Sequence, residues 1–334
     1  MALTEKKSLL EENMFSEDLT TKMDVKVDRS LESKPFVVVA IPAYNEEKTI
    51  AKVILQTQRC VDKVVVCDDG SKDMTAEIAE KLGAEVIRHE RNMGYGAAIQ
   101  SLFRRARELN ADVMVTLDAD GQHDPGEIPV LVEPVLEGKA DIVVGSRFLG
   151  DLEKRNNVPR YRRLGIKAIT RLTSAASSLG LSDAQCGFRV YGRKALEDLG
   201  LFENGMGVSA EVLIEAKKHG LTVMEVPISC DYRGVEKPST HSPLRHGASV
   251  VMSIVRLVVE DKPLLLLGVP GVVSLSVGFF FGIWMLQIYA LEHQIVTNVA
   301  LASIAFIVIG LFSVFTAITL YAISRLLQKT NNRH

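Results

Sequence analysis

The sequence predicts an α/β domain of Rossmann-like character followed by a C-terminal hairpin of two transmembrane helices. Three observations carry this. From Phe36 onward, short β-branched runs alternate with amphipathic stretches, the pattern of βα units wound into one sheet. Runs such as Val37-Val38-Val39 and Val113-Met114-Val115 are apolar without alternation, as expected for a largely parallel sheet covered on both faces. Near the C-terminus, Pro263 to Leu291 and Gln294 to Ser324 contain no Asp, Glu, Lys or Arg, and each exceeds the roughly 20 residues a helix needs to cross about 30 Å of hydrocarbon. The formal charge of the 334-residue chain is -2, which gives no sign of a nucleic-acid partner.

The elements follow in order. Residues 1–34 are polar, lack the apolar core of a leader peptide, and are expected to form a mobile extension. A domain over 35–232 comes next. Its strands are expected at Phe36–Ile41, Lys63–Asp68, Ala84–Ile87, Asp112–Asp118, Asp141–Gly145 and Thr222–Val226, and its first helices at Glu47–Arg59, Met74–Leu82, Gly96–Leu109 and Glu127–Leu136. In the third of these, Ile99, Leu102, Phe103 and Ala106 recur at helical spacing and form one face. After a basic loop from Lys154 to Arg163, helices are expected at Leu164–Ser178, Lys194–Leu199 and Val208–His219, with Asp183–Tyr191 a compact polar segment.

Residues 233–262 read as a juxtamembrane linker. Within it, His246–Glu260 carries Val250, Val251, Ile254, Leu257 and Val258 on one side, which suits either a helix lying on the bilayer or one packed on the domain. The spans occupy 263–327. Arg245, Arg256 and Lys262 precede them, Arg325, Lys329 and Arg333 follow, and the connection at Glu292-His293 has no Lys or Arg. The positive-inside rule therefore puts the domain and both ends in the cytoplasm. Gly278 and Gly282 make a small-xxx-small pair, a hint of helix packing and of a homo-oligomer. Four scattered cysteines without a CxxC pair suggest reduced thiols.

The chemistry collects at strand ends, where ligands of open α/β sheets bind. Asp118-Ala119-Asp120-Gly121-Gln122-His123 follows an apolar strand; two carboxylates at i and i+2 can share a Mg²⁺ or Mn²⁺ that bridges to a diphosphate. An acidic surface turn is the alternative, set against the cost of two adjacent like charges. Asp68-Asp69 ends a second strand, and Tyr44-Asn45-Glu46-Glu47 follows Pro42 on the first; carboxylates there can accept bonds from ribose or base. Asn92-Met93-Gly94-Tyr95-Gly96 opens a helix whose amides can face an anion or simply make a tight turn. Arg147 ends another strand, Arg162 and Arg163 lie beyond it, and Arg189 closes Gln185-Cys186-Gly187-Phe188-Arg189. Guanidinium forks suit phosphate oxygens.

Together these segments resemble the inverting family 2 glycosyltransferases, specifically the dolichyl-phosphate mannose synthase and polyprenyl-phosphate glucosyltransferase group, over Phe36 to Tyr232. The resemblance implies a GT-A nucleotide-sugar transferase domain. Asp118, Asp120 and Gln122 would handle the metal and donor phosphates, and Pro42, Tyr44, Glu46, Asp68 and Asp69 the nucleoside, with Asn92 and Gly94 beside them. Arg147, with Arg162 or Arg163, would meet the lipid phosphate, and Gln185 and Arg189 would close the sugar site. Gly121 departs from the Leu often found there, and Cys186 from the more usual Ser. The implied partners are a UDP-sugar or GDP-mannose, a dolichyl or polyprenyl phosphate and the bilayer; the wording of Asn92–Gly96 favours a UDP-sugar. A processive polysaccharide synthase is disfavoured because the single Trp, Trp284, lies inside a span rather than in a Gln-x-x-Arg-Trp segment. A nonenzymatic adaptor with a degenerate domain is disfavoured by the intact Asp118/Asp120 pair.

Overall fold

The computed structural model of the chain describes residues 34–150, 158–232, 250–256, 259 and 263–331. Residues 1–33 of the extension expected over 1–34, residues 154–157 of the basic loop and residues 233–249 of the linker lie outside these residues; the end of the expected loop, from Arg160, is already helical. The elements in chain order are β1 (Val37–Ala43), α1 (Ile50–Thr57), β2 (Lys63–Asp68), α2 (Thr75–Lys81), β3 (Glu85–Arg88), α3 (Tyr95–Glu108), β4 (Val113–Thr116), α4 (Ile128–Leu136), β5 (Ile142–Ser146), α5 (Arg160–Ser177), β6 (Arg189–Gly192), α6 (Arg193–Asp198), α7 (Val208–Lys218), β7 (Val223–Pro227), α8 (Val269–Glu292) and α9 (Thr297–Asn331).

The seven strands form one sheet in the order β3-β2-β1-β4-β6-β5-β7. β1 runs parallel to β2 and β4, β2 to β3, and β5 to β7. β1 is buried at every residue, as its unbroken apolar run requires. The expectation of a compact polar segment over Asp183–Tyr191 is corrected at its end. Arg189–Gly192 forms β6, antiparallel to both β4 and β5. Because β6 runs in reverse, the residues before it reach the same edge as the residues after β1, β2, β4 and β5. That edge therefore gathers residues 44–47, 68–71, 117–123, 146–148 and 183–188. Beneath it, Ile99, Leu102, Phe103 and Ala106 of α3 are all buried, as their spacing predicts, and Phe103 meets Tyr191 edge-on at 4.8 Å.

The loop at 202–205 docks on the start of α3. Glu211 on α7 accepts the Phe202 and Glu203 amides at 2.9 and 3.0 Å. The Asn204 carbonyl in turn accepts the Gly96 and Ala97 amides at 2.8 and 3.2 Å. A Cβ on Gly96 would lie 2.0 Å from the Glu203 carbonyl oxygen, so this glycine is required by backbone approach.

The two C-terminal segments Leu264–Glu292 and Thr297–Ile323 are long and apolar enough to span a membrane, and little of either is buried. They pack on each other through small residues. A Cβ on Gly278 would lie 2.6 Å from Ile307, and one on Gly310 would lie 2.7 Å from the Gly271 carbonyl oxygen. Ser303 Oγ donates to the Gly278 carbonyl at 2.9 Å, and Ser313 Oγ to Leu267, inside the π-helical turn Leu264–Gly268, at 2.7 Å. The small-residue pair read as a hint of self-association thus packs within the hairpin. The short helix over 250–256 likewise turns Val250 and Ile254 onto Ile169 and Ala210 of the domain. The apolar side that suited a bilayer is packed inward there, leaving Met252 and Val255 exposed.

Replacing Gly96 with alanine forces the 203–205 backbone off α3. We expect a loss of about 1–3 kcal/mol, the usual cost of overpacking, measured as a lowered thermal midpoint of the purified chain.

Candidate active site

Asp118 lies two residues beyond the end of β4, in the centre of the sheet's carboxyl edge. The 184–188 segment crosses directly over it, held by Thr116 Oγ1, which donates to the Gly187 carbonyl at 2.7 Å. A Cβ on Gly187 would stand 2.6 and 2.7 Å from the two Asp118 oxygens. Only glycine allows the backbone so close. Tyr95, at the start of α3, donates its hydroxyl to Asp118 Oδ1 at 3.1 Å. Burial raises the proton affinity of Asp118; the Tyr95 bond and the charges of Arg147 and Arg189 oppose this without offsetting it.

Asp120 faces the same edge and accepts the Gln122 amide at 3.0 Å, closing a tight turn around Gly121. His123 Nε2 is 3.8 Å from Asp118 Oδ2, but burial pushes this imidazole down to about 4, so near neutrality it is uncharged and makes no ion pair. A strap after β7 pins the turn from outside. Ser229 donates its amide to Glu127 at 3.0 Å, Cys230 bridges His123, and Asp231 donates to the Gln122 carbonyl at 2.9 Å.

Arg147 follows β5. Its Nε and Nη2 donate to the two oxygens of Asp183 at 2.6 and 2.9 Å, and Nη1 donates to the Tyr232 hydroxyl at 3.1 Å. Asp183 is fully buried, and its carboxylate outweighs the opposing effect of burial to hold the guanidinium firmly protonated. Behind it, Glu225 on β7 accepts the amides of Ser182 and Asp183, at 2.8 and 2.9 Å. Arg147 and Lys167 of α5 both approach the Phe148 ring, at 5.9 and 5.8 Å from its centroid.

Other residues singled out in the sequence fall into distinct groups. Tyr44, Glu46 and Gln185 are partly exposed at the edge, and Asn92 is exposed. Pro42 is a buried residue of β1, and Asp68 is 5% exposed, with Oδ1 accepting the Ser71 amide. The amides of Met93 and Gly94 do face an anion, and it is the Asp69 carboxylate, at 2.9 Å each, so Asp69 anchors this loop. One expectation is corrected. Arg189 is 2% exposed and donates to the carbonyls of Cys186, Ser209 and Ala184 at 2.8–2.9 Å. It supports the 184–188 segment from beneath. Arg163 lies in the first turn of α5; the Arg162 side chain is outside the described residues. Sequence reasoning missed Asp183, Glu225 and Lys167, and gave Tyr95 no contact with Asp118.

Among the described residues, no group of three or more His, Cys, Asp or Glu side chains is arranged to hold a metal. Asp118 and Asp120 nevertheless offer an all-oxygen pair on one turn. That donor set fits a hard divalent cation, which commonly takes one or two carboxylates and draws its remaining ligands from phosphates and water.

The sequence profile described as glycosyl transferase family 2 matches residues 38–200. A dolichyl-phosphate hexose transferase of Haloferax volcanii is 36% identical over 230 residues, covering 68% of this chain and 95% of the relative. A UDP-N-acetylglucosamine–dolichyl-phosphate N-acetylglucosaminyltransferase of Methanococcus voltae is 35% identical over 216 residues, covering 59% and 86%. Among solved structures, glucosyl-3-phosphoglycerate synthase from Mycobacterium tuberculosis, in complex with Mn²⁺, UDP-glucose and phosphoglyceric acid, superposes with a TM-score of 0.53 at 26% identity, covering 67% of this chain and 80% of that one. The chain belongs to glycosyl transferase family 2, in the group that includes the dolichyl-phosphate sugar transferases, and its sheet domain has the GT-A fold.

Proposed function

We propose that this glycosyltransferase moves a hexose or N-acetylhexosamine, with inversion, from a nucleotide-sugar to a dolichyl or polyprenyl phosphate at the cytoplasmic face of a membrane. In this reading a catalytic unit over 35–232 is carried by an anchor over 263–327. The observation that carries it is the Asp118–Asp120 turn at the same sheet edge as Arg147, in a chain ending in two span-length apolar helices. The activities for which the Haloferax and Methanococcus relatives are named support the lipid acceptor. A UDP-sugar is favoured as donor. The Methanococcus relative is named for one, and the Mycobacterium structure contains one.

The reaction is a single displacement. An oxygen of the lipid phosphate forms a bond to the anomeric carbon as the bond from that carbon to the nucleoside diphosphate breaks. A phosphate monoester is already ionised near neutrality, so no side chain need remove a proton. Asp118 and Asp120 would hold a Mg²⁺ or Mn²⁺, which supplies charge compensation for the departing diphosphate. Arg147, its plane set by Asp183, orients the acceptor phosphate through charge-assisted hydrogen bonds. Tyr95 keeps Asp118 in place by donating a hydrogen bond; burial raises its own proton affinity, so it stays a phenol.

The direct test incubates membranes containing this chain with labelled nucleotide-sugars, polyprenyl phosphate and Mg²⁺ or Mn²⁺. Label in the lipid fraction is expected from a UDP-sugar, and failure of every donor rejects the assignment. Asp120→Asn should lower transfer by about 100-fold, the scale of losing one stabilising group at a developing charge; full retention would reject the metal site. Arg147→Ala strands a buried carboxylate and should cost about 3–5 kcal/mol of stability. Arg147→Lys keeps the charge, and should raise KM for the lipid phosphate more than for the nucleotide-sugar. Gly187→Ala pushes the Asp118 carboxylate aside, so kcat should fall further than its shift in thermal midpoint accounts for.

A further inference from the structure

We propose that His89, held between Asp69 and Ser101, is a positioning residue that sets the Asn92–Gly94 loop and, through Tyr95, the Asp118 carboxylate. The proposal rests on the transferase reading above. His89 follows β3 directly, and its amide donates to the Asp68 carbonyl at 2.9 Å. Its Nδ1 is 2.7 Å from Asp69 Oδ1 and its Nε2 is 2.9 Å from Ser101 Oγ on α3. The ring is 9% exposed and the Asp69 side chain 5%.

Proton positions follow from what each partner can offer. An ionised carboxylate only accepts, so Nδ1 of His89 carries the proton. In the neutral ring Nε2 is then an acceptor, and the Ser101 hydroxyl supplies its proton. Cys67 lies 3.6 Å from the same nitrogen. Burial, with Asp69 and Asp68 nearby, pushes its thiol up to about 12, so it stays neutral and leaves the polarity of the chain unchanged.

The consequence runs through Asp69. Its two oxygens accept the Met93 and Gly94 amides and thereby fix the entry to α3. Gly94 has φ of 105°, a conformation most residues avoid and one the two amide bonds hold in place. The next residue is Tyr95, whose hydroxyl reaches Asp118. The path Ser101–His89–Asp69–loop–Tyr95–Asp118 thus joins β2, β3, α3 and β4 through short polar contacts. His89 is a positioning group because its contacts are with Asp69 and Ser101, while Asp118 stands at the end of the path.

The test compares two replacements in the purified full-length chain in lipid nanodiscs. The amide nitrogen of His89→Asn stands in for Nδ1 and keeps the bond to Asp69. That of His89→Gln stands in for Nε2, reaching Ser101 while leaving Asp69 short of one donor. We expect H89Q to lower kcat/KM for the nucleotide-sugar about tenfold or more, the scale of a small misplacement at a reacting centre, with KM for polyprenyl phosphate unchanged. H89N should recover most of the loss at a similar thermal midpoint. Equal losses in both variants, losses that track the midpoint, or losses shared by the lipid substrate would overturn the proposal. Active wild-type protein with an indifferent H89Q rejects the relay alone. Wild-type protein that transfers from no donor rejects the transferase reading and the relay with it.

Discussion

The Asp118 carboxylate is pressed against peptide backbone at the end of a central strand, and much of the surrounding architecture answers to that contact. A carboxylate losing water needs hydrogen-bond donors or positive charge in exchange. The fold supplies the Tyr95 hydroxyl from α3 and the charges of Arg147 and Arg189 from β5 and β6. The contact also fixes topology. The 184–188 segment can cross Asp118 only because β6 returns antiparallel between β4 and β5. A fully parallel strand in that place would deliver its preceding residues to the opposite edge.

A second regularity is how the loops at this edge are held. Carboxylates bind backbone amides of other segments. Asp69 holds Met93 and Gly94, Glu211 holds Phe202 and Glu203, Glu225 holds Ser182 and Asp183, and Glu127 holds Ser229. Loop amides outside a ladder need partners once water is excluded, and an ionised acceptor makes the stronger bond. The arrangement has an electrostatic cost. Burial raises the proton affinity of Glu211 and Glu127 despite the amides they accept. What it provides is loops fixed without bulky apolar side chains, which would fill the cleft they surround.

These features explain which parts of the molecule were legible in the sequence. β1, β2 and the core face of α3 were readable because burial on both sides of a sheet, or along one side of a helix, leaves a periodic apolar record. The same holds for the two span-length helices. β6 left no such record: it is four residues long, opens with an arginine and takes its direction from neighbours. The glycines near residue 94 were visible, but their partner was not. The pattern suits an anion, and the protein supplies that anion itself as Asp69. Asp183 and Glu225 escaped notice because their partners lie 36 to 43 residues away. Arg189 shows the converse error: an arginine in a glycine-containing segment suggests a phosphate, yet this one is buried and donates to three carbonyls.

In the proposed reaction, the Arg147–Asp183 pair bears on how an acceptor phosphate would be held. A guanidinium matched by a fully buried carboxylate contributes little net charge at a distance, so long-range attraction of a dianion cannot rest on Arg147 alone. What the pair contributes is orientation, since the bidentate contact fixes the plane of the remaining N–H directions. Net positive charge must come from elsewhere, and Lys167 stands on the same aromatic ring as Arg147. In that reaction Asp118 and Asp120 would hold a divalent ion, whose charge would complete the balance from the donor side. Orientation from a buried pair and attraction from less buried cations are then separate properties, carried by different residues and open to change independently of each other.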